Sequence, residues 1–182
     1  MNNSDRRTTR TKRALKRAML ELLSKKNISK ITVSELSELA DIGRNTFYLH
    51  YMDAYDLLDK LENEIIEQIT AHTSPIMEYS DYDSLLIHLA NIWKYVYENL
   101  DIFRILMNQN NITRFMDKMK GYCIKSVLSA SNSYTKNTTE DYHIIYYISG
   151  SLGMFQKWIE DGASIPPDKL AQIARELIIG TA

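Results

Sequence analysis

Residues 32–51 read TVSELSELADIGRNTFYLHY, and this stretch limits the fold more than any other, because it requires two short helices joined by a tight turn. Thr32 followed by Glu35 is a T-x-x-E capping box, in which hydroxyl and carboxylate each satisfy an orphan backbone N–H of the first turn. Ile31 and Leu36 stand at the two positions of a hydrophobic staple. The pattern buries Leu36, Leu39 and Ala40 and stops the helix at Asp41-Ile42-Gly43. Asp41 tolerates a left-handed turn position better than most residues other than glycine. Gly43 is an acceptable next N-cap, although it offers no side-chain acceptor. A second helix then covers 44–50. A three-residue turn between two short helices is the spacing of a helix-turn-helix, whose second helix enters the DNA major groove.

The second helix ends in an aromatic run, Phe47-Tyr48-Leu49-His50-Tyr51. With that run the segment resembles the DNA-binding motif of the TetR/AcrR family of bacterial transcriptional regulators. Upstream, Ala18, Leu22, Ile31, Thr32, Val33 and Leu36 fall where that family has small, apolar and capping residues, and the register holds from Leu15 to Leu58. The resemblance implies an all-α protein of about nine helices. Residues 1–52 would form a three-helix DNA-binding domain with a basic arm at 1–8, and residues 53–182 a larger regulatory and dimerisation domain.

Composition supports the helical part independently. Six Gly and three Pro in 182 residues are too few for a turn-dense β architecture. A single cysteine, Cys123, excludes an intramolecular disulfide framework and fits a reducing cytoplasm; at helical spacing it reads as a small apolar residue. No apolar run reaches the roughly 18 residues of a membrane span, and the basic N-terminus has no apolar leader segment. The net charge of −1 hides an asymmetry: residues 1–50 carry eleven Lys/Arg against five Asp/Glu, and the remainder eleven against eighteen. Segregated in this way, the charges give one end a field that attracts phosphate.

Along the chain, residues 1–8 show no apolar periodicity and are expected to be disordered. With Arg10, Lys12 and Arg13 they make a basic arm, which reads as a phosphate or minor-groove contact or as a solubilising tail. A first helix over 9–26 presents Ala14, Leu15, Ala18, Met19, Leu22 and Leu23 on one face. Asp53 caps a fourth helix running to 72, with Met52 and Leu57 placed for a staple and Leu57, Leu58, Leu61, Ile65, Ile66 and Ile69 as its stripe. The family commonly has a lysine just after this cap, where the present chain has Ala54. Either that phosphate contact is missing, or Lys60 or the helix's own N–H groups replace it. Thr73-Ser74-Pro75 breaks the helix. Further helices follow over 82–99 (Leu85, Leu86, Leu89, Ile92, Trp93 and Val96 inward), 101–107 and 112–130, before a polar loop at 131–139.

The last two helices, 140–160 and the one begun by Pro166-Pro167, combine an apolar stripe with small residues. Gly150 and Gly153 would admit a close neighbouring helix, with Leu170, Ile173 and Leu177 on the final helix. This arrangement is similar to the C-terminal pair through which TetR-like subunits dimerise as a four-helix bundle. The run from Tyr146 to Trp158 also resembles a C-terminal regulatory subgroup common in Gram-positive bacteria.

Chemistry of other kinds finds little support. Glu140-x-x-His143 has the spacing of a di-iron motif, but no second copy accompanies it, so a pair near a helix cap is the simpler reading. No Gly-rich phosphate loop, Gly-x-Ser-x-Gly or paired metal-ligand motif is present. No cofactor, metal or catalytic residue is therefore expected. The resemblance implies double-stranded DNA with a palindromic operator, a second copy of the chain and a small-molecule effector as partners, with no membrane, and a cytoplasmic repressor as the function. Arg44 is the candidate for a bidentate guanine contact, with Asn45, Thr46 and Leu49 as further base readers. Thr32, Tyr48, His50, Arg10, Lys12 and Arg13 would hold phosphates. Trp93, Tyr97, Phe103, Phe115, Tyr122 and Tyr146 lie on helices that surround the ligand cavity in TetR-like proteins, and either line a pocket for an apolar or aromatic molecule or fill the core. The alternative function is an adaptor of the same fold that acts through protein partners without a specific operator.

Overall fold

The computed structural model describes residues 3–71, 82–108, 112–130 and 139–179. Those residues form nine α-helices: α1 (Asn3–Leu23), α2 (Val33–Leu39), α3 (Arg44–Tyr48), α4 (Ala54–Ala71), α5 (Tyr82–Glu98), α6 (Leu100–Leu106), α7 (Ile112–Ala130), α8 (Thr139–Glu160) and α9 (Pro167–Ile179). A 3-10 turn, Ile28–Lys30, precedes α2, and no strand occurs among the described residues. The all-α architecture therefore holds. The break expected at Thr73-Ser74-Pro75 and residues 131–138 of the loop expected over 131–139 lie outside the described residues, as do the side chains of Leu85, Leu86, Leu89, Glu140 and His143, and Thr139 is the first residue of α8 where loop was expected.

Leu15, Ala18, Met19 and Leu23 of α1 are buried against Leu36 of α2 and Phe47 of α3, closing the first three-helix unit. The expected turn chemistry is present in full. Asp41 has φ +53, its N–H donates to the Glu38 carbonyl at 3.1 Å, and the Ile42 N–H reaches the Ser37 carbonyl at 3.0 Å. These two bonds are a Schellman motif built on aspartate where glycine is usual. Asp41→Gly should therefore raise stability by about 0.5–1 kcal/mol, because the left-handed backbone no longer works against a Cβ. Thermal unfolding at fixed subunit concentration checks this, and a lower midpoint would count against it.

Three expectations about this region need correction. Helix α1 begins at Asn3, so residues 3–8 are helical where disorder was expected. Once the buried turns of α1 are nucleated, each further residue adds a bond at little cost, and Asp5 in the first turn suits the helix dipole. Leu39 is 43% exposed where burial was expected. The inward stripe of α2 is Leu36, Ser37 and Ala40, and Leu39 lies roughly 100° round the helix from its centre. Met52 is 77% exposed and so forms no staple with the buried Leu57. Instead the Met52 N–H donates to Asp56 Oδ2 at 2.9 Å, while Asp53 Oδ1 caps the helix by accepting the Asp56 N–H at 2.8 Å.

The stripe on α4 is buried as expected from Leu57 to Ile69. It joins the first unit to a second core in which α9 lies along α5 and α8 along α7, with α6 packed between α1 and α8. Asn108 fixes α6 to the head by donating to the Leu23 carbonyl at 3.0 Å. At the end of α8 the chain turns through Gly162 (φ +77) and Ala163 (φ +57), and Arg104 of α6 donates to the Gly162 carbonyl at 3.0 Å.

Candidate nucleic-acid interface

The face that could meet DNA starts at the N-cap of α2. Both halves of the capping box form: Glu35 N–H donates to Thr32 Oγ1 at 3.3 Å, and Thr32 N–H donates to Glu35 Oε2 at 3.0 Å. Lys26 Nζ sits 2.5 Å from the other Glu35 oxygen. The Lys26 hydrogen bond first, and then the Thr32 bonds, hold the Glu35 carboxyl down at about 2. The Thr32 hydroxyl proton is already given to Glu35 Oε2 at 2.9 Å, so a phosphate at Thr32 would have to displace it.

Phe47 is fully buried and anchors α3, with its ring edge-on to Tyr48 at 5.6 Å and tilted against Tyr51 at 5.8 Å. With that plug inward, Arg44, Asn45, Tyr48 and Leu49, at i, i+1, i+4 and i+5, share the outward side. Leu49 is 79% exposed. Thr46 and His50 are half-buried at the margins. Arg44 Nη2 donates to Ser34 Oγ of α2 at 2.6 Å. From α1, Arg10, Lys12 and Arg13 are exposed, and Lys12 comes near enough that, after burial, its ammonium is the second cause lowering the pKa of His50.

At the family's lysine position Ala54 is buried. Lys60 is bound to Asp56 Oδ2 at 2.9 Å and stands 5.2 Å from the centre of the Tyr51 ring. At the N-terminus of α4, Asp53 already accepts the Asp56 N–H and Asp56 accepts that of the preceding Met52, and two carboxylates there oppose a phosphate.

Of the six aromatics expected round a ligand cavity, Phe103 and Phe115 are in ring contact. Trp93, Phe103 and Phe115 are buried, and Phe103 packs on Phe115 at 6.2 Å and on Phe155 at 6.1 Å. Tyr97 is exposed and stacks on Trp158 at 6.1 Å, Tyr122 is half-buried, and Tyr146 is exposed against Tyr147. An open cleft of about 410 Å³ lies instead between α8 and α9, lined by Gly153, Met154, Trp158, Leu170 and Ile173 among others. Of the dimer candidates, Gly150, Gly153 and Leu177 are exposed, Ile173 is half-buried and Leu170 is buried. Burial raises the Cys123 thiol to about 11, which makes it a poor nucleophile. No metal-binding group of His, Cys, Asp and Glu occurs among the described residues, and none of their helices is long and apolar enough to cross a membrane.

Sequence reasoning missed a network between α4 and α7. Glu62 is 0% exposed, and one of its oxygens accepts from Arg114 Nε and Lys118 Nζ, each at 3.2 Å. Asp59 accepts from Arg114 Nη2 at 3.3 Å and from Lys118 Nζ at 2.7 Å. The available signal was the matched spacing, Asp59-x-x-Glu62 on one helix and Arg114-x-x-x-Lys118 on another.

A family model of the TetR type, described as "Transcriptional regulator C-terminal region", matches residues 83–180. The chain belongs to the TetR family. This TetR-family chain is 28% identical over 181 residues to "Uncharacterized HTH-type transcriptional regulator YxbF" of Bacillus subtilis (strain 168). That match takes in 92% of the chain but 44% of YxbF, so the chain spans less than half the length of this relative. Its fold is shared with a TetR transcriptional regulator from Streptococcus agalactiae 2603V, at TM-score 0.66 and 21% identity over 96% of this chain and 97% of that one. It is shared also with the dihydroxyacetone kinase operon activator DhaS, at TM-score 0.61 and 17% identity over 93% and 94%. The expected helix-turn-helix head followed by a helical C-terminal domain is thus the fold of this family, which is one of transcriptional regulators and not of enzymes.

Proposed function

We propose that this TetR-family regulator binds a near-palindromic operator as a cytoplasmic homodimer and represses transcription until a small apolar or aromatic molecule releases it. Residues 1–52 act as the reading head and residues 53–182 as the regulatory and dimerisation part. The observation that carries the DNA reading is the outward face of α3. Arg44, Asn45, Tyr48 and Leu49 stand clear of the domain on the buried Phe47 plug, beside the cations of α1. Arg44 reads a guanine, Asn45, Thr46 and Leu49 contact neighbouring base edges, and Tyr48, His50, Arg10, Lys12 and Arg13 hold phosphates. Thr32 joins them if a phosphate displaces Glu35. Two such heads meet successive major-groove faces about 34–36 Å apart, or a multiple of that. The exposed Gly150, Gly153 and Leu177, with Ile173 and Leu170 beneath, support a two-fold contact through α8 and α9. Repression and effector release rest on the family resemblance, and a promoter–reporter assay with and without the protein tests the sign.

Sequencing the genomic fragments retained by the protein tests the DNA part. On the recovered operator, Arg44→Ala should cost about 1–3 kcal/mol and relax preference at one base pair per half-site. An unchanged binding motif would remove Arg44 from the interface.

The pH dependence follows from His50, which burial and then Lys12 hold below the ordinary 6.5. A phosphate beside the ring raises that pKa again, so binding takes up a proton and operator affinity rises as pH falls below 6.5. Folding has the opposite sign, because the native state favours the neutral ring and loses stability over the same window. Titrations at pH 7.5 and 5.5 should give a steeper change for the parent than for His50→Gln, and equal slopes would contradict the phosphate role.

The adaptor reading is favoured by one observation, that Phe103 packs on both Phe115 and Phe155, so these three rings fill core instead of lining the open cleft between α8 and α9. Equal affinity for recovered fragments and random-sequence DNA at physiological salt would support it over operator binding.

A further inference from the structure

Ser34 and Arg44 are ten residues apart and lie on different helices, yet Arg44 Nη2 donates to Ser34 Oγ at 2.6 Å. The turn between them sets this distance. Asp41 in the left-handed region and the two carbonyl bonds that close α2 fix where α3 starts. We infer that Ser34 is a positioning residue that holds the Arg44 guanidinium in its base-reading orientation before DNA arrives. The inference rests on the guanine-reading role given to Arg44 above.

A guanidinium has five N–H groups arranged as two-pronged forks. Placing one Nη2 hydrogen on Ser34 uses one fork and leaves another for the O6 and N7 acceptors of guanine. The chemistry of the tether also matters. Among the described residues Arg44 forms no ion pair, whereas Lys16, Lys26, Lys60, Arg114 and Lys118 all do. A carboxylate tether would hold the side chain as well, but would cancel the charge that guanine and phosphates attract and would have to be broken on binding. A serine hydroxyl fixes direction and leaves the full positive charge in place. Without the tether, an exposed arginine carries its full rotamer freedom into the encounter and loses it on binding.

The test uses the full-length protein, its recovered operator, and the same operator with 7-deazaguanine at the Arg44-dependent position, which removes only the N7 acceptor. Ser34→Ala should lower the discrimination between the two DNAs about 3- to 10-fold, the effect of ordering one flexible side chain on binding. Affinity for random-sequence DNA should not change. Ser34→Thr should restore the discrimination, and in an Arg44→Ala background Ser34→Ala should have no further effect. Unchanged discrimination in Ser34→Ala overturns the inference, as does an equal loss on operator and random DNA, which would make Ser34 a phosphate contact. Additive losses in the double variant overturn it too, since Ser34 would then act independently. If Arg44→Ala itself leaves discrimination intact, the guanine reading fails and the inference with it. If Arg44→Ala abolishes discrimination while Ser34→Ala does not, only the inference fails.

Discussion

Gly153→Leu should convert the protein into a monomer that keeps its helices. In the isolated subunit the new side chain has room to start, since a Cβ built at Gly153 meets no atom within 4 Å beyond the helix's own neighbouring backbone. Replacing a mid-helix glycine should even stabilise α8 on its own, by roughly 0.5–1 kcal/mol. A loss of dimer with the helices kept would therefore point to a contact with a second copy. Along α8, the exposed Tyr142, Ile145 and Tyr146 lie on the side that leads past the half-buried Ser149 to the exposed Gly153, and Leu177 of α9 is exposed as well. If a partner's helices cover that side, a leucine at the glycine overpacks the contact at about 1–3 kcal/mol, and a two-fold axis presents the clash twice. Operator affinity should then fall further than for Arg44→Ala, because two half-sites are no longer read by one linked molecule. Sedimentation at a concentration where the parent is dimeric decides the matter. A Gly153→Leu protein as dimeric as its parent would place the interface elsewhere.

What the sequence made legible was local. The capping box at Thr32 and Glu35, the left-handed Asp41, the plug at Phe47 and the proline start of α9 each depend on a few neighbouring residues, and each is present in the structure. Periodicity also found the inward stripe of α4. It could not say which inward residues meet. Phe103 and Phe115 come from helices with a connection between them, and their mutual packing at 6.2 Å depends on the approach of α6 to α7. Met52 and Leu39 went astray for a related reason. Spacing alone suggests a staple and a stripe, whereas the carboxylate of Asp56 captures the Met52 N–H, and Ser37 instead of Leu39 joins Leu36 and Ala40 on the inward side. The Ser34–Arg44 contact is of the same kind, since it follows only once the turn angle is known. The ion network between α4 and α7 is the largest omission, because a charge within an apolar stripe reads as an error until its partners are placed.

That network sets the second large effect. Lys118→Met should destabilise the protein by about 2–4 kcal/mol, toward the lower part of the range for breaking a buried ion pair. Its ammonium serves three acceptors, Asp59 Oδ1 at 2.7 Å, the Asp59 carbonyl at 2.9 Å and Glu62 Oε2 at 3.2 Å. Without it, the buried Glu62 keeps Arg114 alone, and its other oxygen already lacks a hydrogen-bond partner. Water moderates the loss, because the side chains of Asp59 and Arg114 are 51% and 34% exposed. The damage is an unpaired buried charge, so removing that charge should repair part of it. Glu62→Leu added to Lys118→Met should give a protein more stable than Lys118→Met alone, with Asp59 and Arg114 still paired. Acid provides a further check on the same contact. The Lys118 hydrogen bond is the main cause holding Asp59 below its ordinary 3.8, so the stability it contributes is present above 3.8 and is lost as pH falls through the lowered value. Lys118→Met should consequently lose less stability on acidification than its parent. Urea unfolding of the parent and both variants, at one subunit concentration and at pH 7 and 3, measures all three effects. Losses that simply add in the double variant would mean that Glu62 is held by something other than Lys118, and that α4 is fixed to α7 by its apolar stripe alone.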